Sequence, residues 1–238
     1  MKKSYLARAA SFTTMSLATL LLSGCGVEAG KGGFTINTPT AGPTSTAAAG
    51  FRAQKSLELK DFHAIDSSAV ATLVITDGQP FAVIVEAEES VVPKVVTTVK
   101  DGVLNISLEK DVSTSNPVRI LISLPKLDKL TLAGVGEVTV SGVKEPFLTI
   151  KQSGAGSCNI SGSADMVDLT LSGVGSAQLK ELKARALTAL LSGTGSAHVF
   201  ASESLTATIS GIGSLKYSGN PPKLQKNVTG IGQINAAP

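Results

Sequence analysis

Ser172-Gly173-Val174-Gly175-Ser176-Ala177-Gln178-Leu179 holds the pattern that decides the fold, because its first four residues recur along the C-terminal half. The other copies are Ala133-Gly134-Val135-Gly136, Ser153-Gly154-Ala155-Gly156, Ser192-Gly193-Thr194-Gly195, Ser210-Gly211-Ile212-Gly213 and Thr229-Gly230-Ile231-Gly232. Successive copies start 20, 19, 20, 18 and 19 residues apart. A fixed period of this length marks a solenoid, whose units stack and cannot fold singly.

The flanks say which kind. Before each copy apolar residues alternate with polar ones, as in Leu130/Leu132, Leu148/Ile150, Val167/Leu169/Leu171, Leu187/Ala189/Leu191 and Leu205/Ala207/Ile209. After it a second alternating run begins: Val138/Val140, Cys158/Ile160, Ala177/Leu179, Ala197/Val199, Leu215/Tyr217, then Ile234. Period two is strand, not helix. Each repeat therefore reads strand, Gly-x-Gly corner, strand, turn, and like positions should form ladders roughly 4.8 Å apart in a parallel β-helix of six coils. Glycine suits such a corner because it tolerates positive φ. A phosphate loop would need a helix after the glycines, and calcium-binding repeats run in nonapeptides with an Asp after theirs; neither feature is present.

Residues 1–24 read as a lipoprotein signal peptide: Lys2, Lys3 and Arg8 precede a modestly apolar run, and Leu22-Ser23-Gly24-Cys25 resembles a bacterial lipobox. Cys25 is the expected lipid-attachment residue, which would hold the chain in the cell envelope; without an Asp after it, the outer membrane is expected if the cell is Gram-negative. Residues 25–50, rich in Gly, Thr and Ala, read as the lipidated cysteine and a flexible tether. Of 21 basic and 18 acidic residues, Lys2, Lys3 and Arg8 leave with the signal, so the mature chain is balanced at 18 of each. With no basic run and two tyrosines, it lacks the footprint of a nucleic-acid binder.

Residues 51–238 read as one β-solenoid domain, with 51–125 an irregular opening and 126–238 the regular repeats. In the opening, Asp77-Gly78 and Asp101-Gly102 each stand between β-branched runs and predict hairpins. The lipobox, the tether, Phe62-His63-Ala64-Ile65, the Asp-Gly pairs, Leu124-Pro125-Lys126-Leu127 and the Ser-Gly-x-Gly repeats together resemble the putative auto-transporter adhesin, head GIN domain family. The likeness covers about residues 57 to 235. It implies an all-β, β-helix-like envelope protein, and the family name implies adhesion; no catalytic motif comes with it.

Candidate sites are few. The outward column Thr139, Asn159, Gln178, His198, Lys216, Asn235 runs beside Glu137, Ser157, Ser176, Ser196, Ser214, Gln233, a strip of amides and hydroxyls that could hydrogen-bond a glycan or another protein. A second outward face carries Thr131, Thr149, Thr170, Thr188, Thr206 and Thr208, which β-propensity explains. A β-helix enzyme acting on a surface polysaccharide is the alternative; it would need paired carboxylates, and Glu145 with Asp165, at equivalent turn positions, is the pair to test. Cys158, set in an inward ladder, reads as a small buried apolar residue. No metal-ligand spacing occurs, and no cofactor is expected. The oligomeric state is not fixed by the sequence.

Overall fold

The computed structural model describes residues 52–110, 112 and 116–237. The signal peptide, Cys25 and the tether lie outside these. Fifteen strands join in one sheet system: β1 Arg52–Leu57, β2 Ala64–Ser67, β3 Thr72–Asp77, β4 Ala82–Glu88, β5 Val95–Lys100, β6 Val103–Leu108, β7 Arg119–Leu124, β8 Lys129–Leu132, β9 Val135–Gln152, β10 Ala155–Leu171, β11 Val174–Leu191, β12 Thr194–Ile209, β13 Ile212–Ser218, β14 Lys223–Val228 and β15 Ile231–Ala236.

From β8 onward every pairing is parallel, and the corners stack in register, copy over copy: Gly136, Gly156, Gly175, Gly195, Gly213 and Gly232 form one column. The architecture is the parallel β-solenoid that the repeats predict. The interior is filled by the alternating residues read from the sequence, with Leu130, Leu148, Ile150, Cys158, Ala177, Leu179, Val199 and Leu215 all buried. The uneven spacing of the copies is absorbed at the second corner, where the register between β10 and β11 and between β11 and β12 shifts after Asn159 and Leu179.

The glycines serve a different need from the one expected. Positive φ occurs at the second glycine of only three copies, Gly136 (145°), Gly156 (144°) and Gly175 (154°), and at no first glycine. What all the copies share is close stacking. A Cβ on Gly173 would overlap the Gly154 carbonyl oxygen, and one on Gly154 that of Gly134. The corner is a column of backbone packed against backbone, which only a residue without a side chain permits.

The opening extends the same stack. β2 pairs in parallel with β8, β3 with β9, and Val70 bridges Val135, so Ser68-Ala69-Val70-Ala71 is a further corner with alanines in place of glycines. β6 and β7 stack in parallel on β2 and β3 in turn. Antiparallel β4, β1 and β5 then close that end. Asp101-Gly102 is a two-residue hairpin turn, both residues at positive φ, joining Lys100 to Val103. The hairpin expected at Asp77-Gly78 does not form: β7 lies between β3 and β4, paired with both. Asp77 instead turns inward, 3% exposed, and its Oδ1 accepts the Gly78 N–H at 2.9 Å. Gly78 then leads the chain across to a hydrogen bond from the Gln79 N–H to the Leu124 carbonyl.

Candidate binding surface

The outward column stands as a ladder because alternation on each strand sends every second residue away from the core. Thr139, Asn159, Gln178, His198, Lys216 and Asn235 are consecutive register partners from β9 to β15. Thr139, Lys216 and Asn235 are exposed, and the middle three are half-buried between their neighbours. Glu137, Ser157, Ser176, Ser196, Ser214 and Gln233 form the adjoining column in the same register.

Amides within the strip are already oriented by neighbours. Asn159 Nδ2 donates to Glu137 Oε1 at 3.2 Å, and Asn235 Nδ2 to Gln233 Oε1 at 3.1 Å. His198 Nε2 is shielded from solvent and has no hydrogen-bond partner among the described residues. Burial, then the charges of Lys180 and Lys216, hold its imidazole below the ordinary histidine range, so the ring is neutral near pH 7. The strip thus offers hydroxyls and amides with one cation, Lys216, and no acid beyond Glu137.

The threonines of the other outward face do not make one array. Thr149, Thr188 and Thr206 share a column with Lys129, Asp168 and Gln225, whereas Thr131, Thr170 and Thr208 share the next with Lys151, Leu190 and Asn227.

The carboxylate pair dissolves. Glu145 is the register partner of Ala164, which pairs in turn with Ala184, so Glu145 sits on an inward ladder and is 9% exposed. Asp165 points out into solvent against Arg185, at 3.5 Å, and Arg185 also holds Glu203 at 2.8 Å. The bulge at the turn makes Ala164, not Asp165, the partner of Glu145; the two acids border one open depression with Lys183 and Arg185 but are not equivalent, Glu145 being buried and Asp165 exposed. Glu145 meets Asp77 instead, a contact that sequence distance hides. Burial pushes both carboxyls above the ordinary range; the charge of Asp77 raises Glu145 further, whereas the hydrogen bond with Glu145 pulls Asp77 back down. Lys126 and Asp128 lie near this pair, with Lys126 Nζ 2.7 Å from Asp128 Oδ1 and His63 Nδ1 3.2 Å from its Oδ2. Cys158 is fully enclosed, and burial pushes its thiol up to about 12. Among the described residues no group of three or more His, Cys, Asp and Glu is placed to hold a metal ion.

One surface feature escapes the alternation argument: the middle residue of each Gly-x-Gly. Val70, Val135, Ala155, Val174, Thr194, Ile212 and Ile231 form a continuous exposed column along the corner. Its signal was present as Val, Ala, Val, Thr, Ile and Ile at one repeat position.

The family model described as putative auto-transporter adhesin, head GIN domain, matches residues 61–221. Among solved structures, a putative adhesin from Bacteroides fragilis is 25% identical, the match covering 79% of this chain and 97% of that one with a TM-score of 0.65. A putative adhesin from Parabacteroides distasonis is 19% identical over 79% of this chain and 98% of that one, with a TM-score of 0.51, a likeness of fold alone. No curated protein matches the chain.

Proposed function

The chain belongs to the putative auto-transporter adhesin, head GIN domain family, and from that premise we propose that it is a lipid-anchored cell-envelope protein with a non-enzymatic, adhesin-like role. Cys25 carries the lipid, and the column from Thr139 to Asn235 contacts an envelope glycan or a protein. The observation that supports this best is the unbroken register of that column. It gives hydrogen-bonding groups at one fixed spacing across six strands, which suits an extended ligand and spreads binding over many weak contacts. The polysaccharide-enzyme alternative gains no support from the carboxyls, since Asp165 is paired with Arg185 and Asp77 and Glu145 are buried.

Two experiments test the reading. Cys25→Ser should yield an unprocessed precursor, or a protein that no longer sediments with membranes; normal maturation and membrane recovery would remove the anchor from the proposal. The same variant, as soluble protein, is then applied to arrays of glycans and envelope proteins. Retention should fall with His198→Asp and persist with Lys129→Asp, which lies on the other outward face. Equal retention of both variants would remove the strip.

A further inference from the structure

The corner column is a ridge, apolar except at Thr194, on a protein whose other large apolar side chains are mostly inside. Val174 is 61% exposed and Ile231 73%, with Val70, Val135 and Ile212 near half or more. From Val135 to Ile231 a column of glycines runs on each side of the ridge, so these six rungs stand between two shallow troughs floored by backbone, while Val70 stands between Ala69 and Ala71. Across the segments 133–137, 153–157, 172–176, 192–196, 210–214 and 229–233 the lone charge is Glu137.

We propose that this ridge is a self-association surface, on which two copies of the chain lie side by side with parallel solenoid axes, each ridge seated in a glycine trough of the other. Three observations select a second copy. First, a surface that meets itself about a two-fold axis must be self-complementary, and a ridge flanked by grooves of its own length meets that condition. Second, the rungs repeat at roughly 4.8 Å, the spacing of stacked strands; a β-strand laid along the ridge would present same-face residues every ~6.6 Å and a helix a turn every ~5.4 Å, so only another stack keeps step along the whole ridge. Third, a nearly uncharged strip gives two identical copies no like-charge repulsion, while offering a charged partner nothing to pair with.

The extent of the surface sets the strength. Seven rungs span about 29 Å, and the strip covers on the order of 300 Å², against roughly 800 Å² per partner in a stable interface. The pair is therefore weak in dilute solution and forms where copies are concentrated, as on a shared surface.

Thiol capture reads this directly, because Cys158 is enclosed and unreactive. In the full chain carrying Cys25→Ser, with diamide added as the two-electron oxidant, Ile212→Cys at millimolar concentration should form disulfide-linked dimers at least tenfold faster than Asp168→Cys, which is exposed on a different face. Adding Val174→Asp should bring the Ile212→Cys rate down to that of Asp168→Cys without lowering the melting temperature. Ile231→Asp, at the most exposed rung, repeats the test should the first charge disturb the coil. Equal capture at 212 and 168, or capture at 212 indifferent to both charges, would overturn the proposal. No dimer at 212 at any concentration, together with binding of the parent to glycan or to neutral lipid vesicles that Val174→Asp abolishes, would overturn it in favour of those occupants.

Discussion

Val199 and His198 are adjacent, yet a carboxylate at the two positions should have opposite consequences. Val199 is fully buried between its register partners Leu179 and Tyr217. Val199→Asp would place an unpaired acid in that ladder and cost several kcal/mol, or raise the acid's pKa until it is neutral. His198→Asp, on the outward side with Lys180 and Lys216 nearby, should change stability by less than about 0.5 kcal/mol. Chemical denaturation of both variants checks the register; a tolerant 199 and a damaging 198 would invert every ladder described above. A second residue-scale consequence concerns pH. Asp77 and Glu145 have folded pKa values raised above their ordinary 3.8 and 4.5. The folded state therefore binds protons more tightly than the unfolded chain, and this contribution is fully present below the ordinary values and lost as pH rises through the folded ones. Asp77→Asn or Glu145→Gln should leave stability near pH 3 little changed, and raise it relative to the parent at pH 7. Melting temperatures across that range test this, and a variant that loses stability at pH 7 would refute it.

At the scale of the coil, close packing and backbone conformation can be separated with two alanines. Gly173 has no positive φ but stacks directly on Gly154 and Ser153, so Gly173→Ala must push two coils apart. Overpacking of that kind costs typically 1–3 kcal/mol, and the upper end, about 3 kcal/mol, is expected where the atoms displaced are backbone. Gly78 has φ of +75° and nothing near its missing Cβ, so Gly78→Ala should cost only the conformational term, about 1 kcal/mol. Similar losses at the two sites, measured in urea, would show that conformation and not stacking makes the corners glycine. The same distinction explains what could be read in advance. The six corners were legible because each stacks against the backbone of the four-residue corner before it and so must be glycine itself. Ser68-Ala69-Val70-Ala71 was not, because the strands stacked beyond it, β6 and β7, are joined by residues 109–118 and not by a four-residue corner; methyl groups are tolerated there and the repeat loses its mark.

For the whole molecule, alternation with period two fixes which residues face outward, so the polar column could be named residue by residue. Order along the stack could not, because β6 and β7 follow β2 and β3 in sequence yet precede them in space, and the carboxyl contact between Asp77 and Glu145 depends on that order. The two ends differ as well. One is covered by the antiparallel strands β1, β4 and β5, while the other stops at β14 and β15 with every side chain of β14 exposed. An open edge of this kind recruits further strands unless it is guarded. The guard is Lys226. It occupies the ladder that runs Leu169, Ala189, Ala207, where the register directs a side chain toward the core. Its Nζ reaches across the last coil to the Ile234 carbonyl at 3.1 Å and lies 4.7 Å from the centre of the Tyr217 ring. An incoming coil would have to strip water from that ammonium, and Pro221-Pro222 just before β14 withhold two backbone donors. Lys226→Leu should therefore leave the fold intact and the end adhesive. In sedimentation at tens of micromolar, where the weak side-by-side pair is absent, the parent should remain monomeric while the variant's average mass climbs with concentration. A monomeric, normally folded Lys226→Leu chain at those concentrations would show that the charge is not what ends the stack.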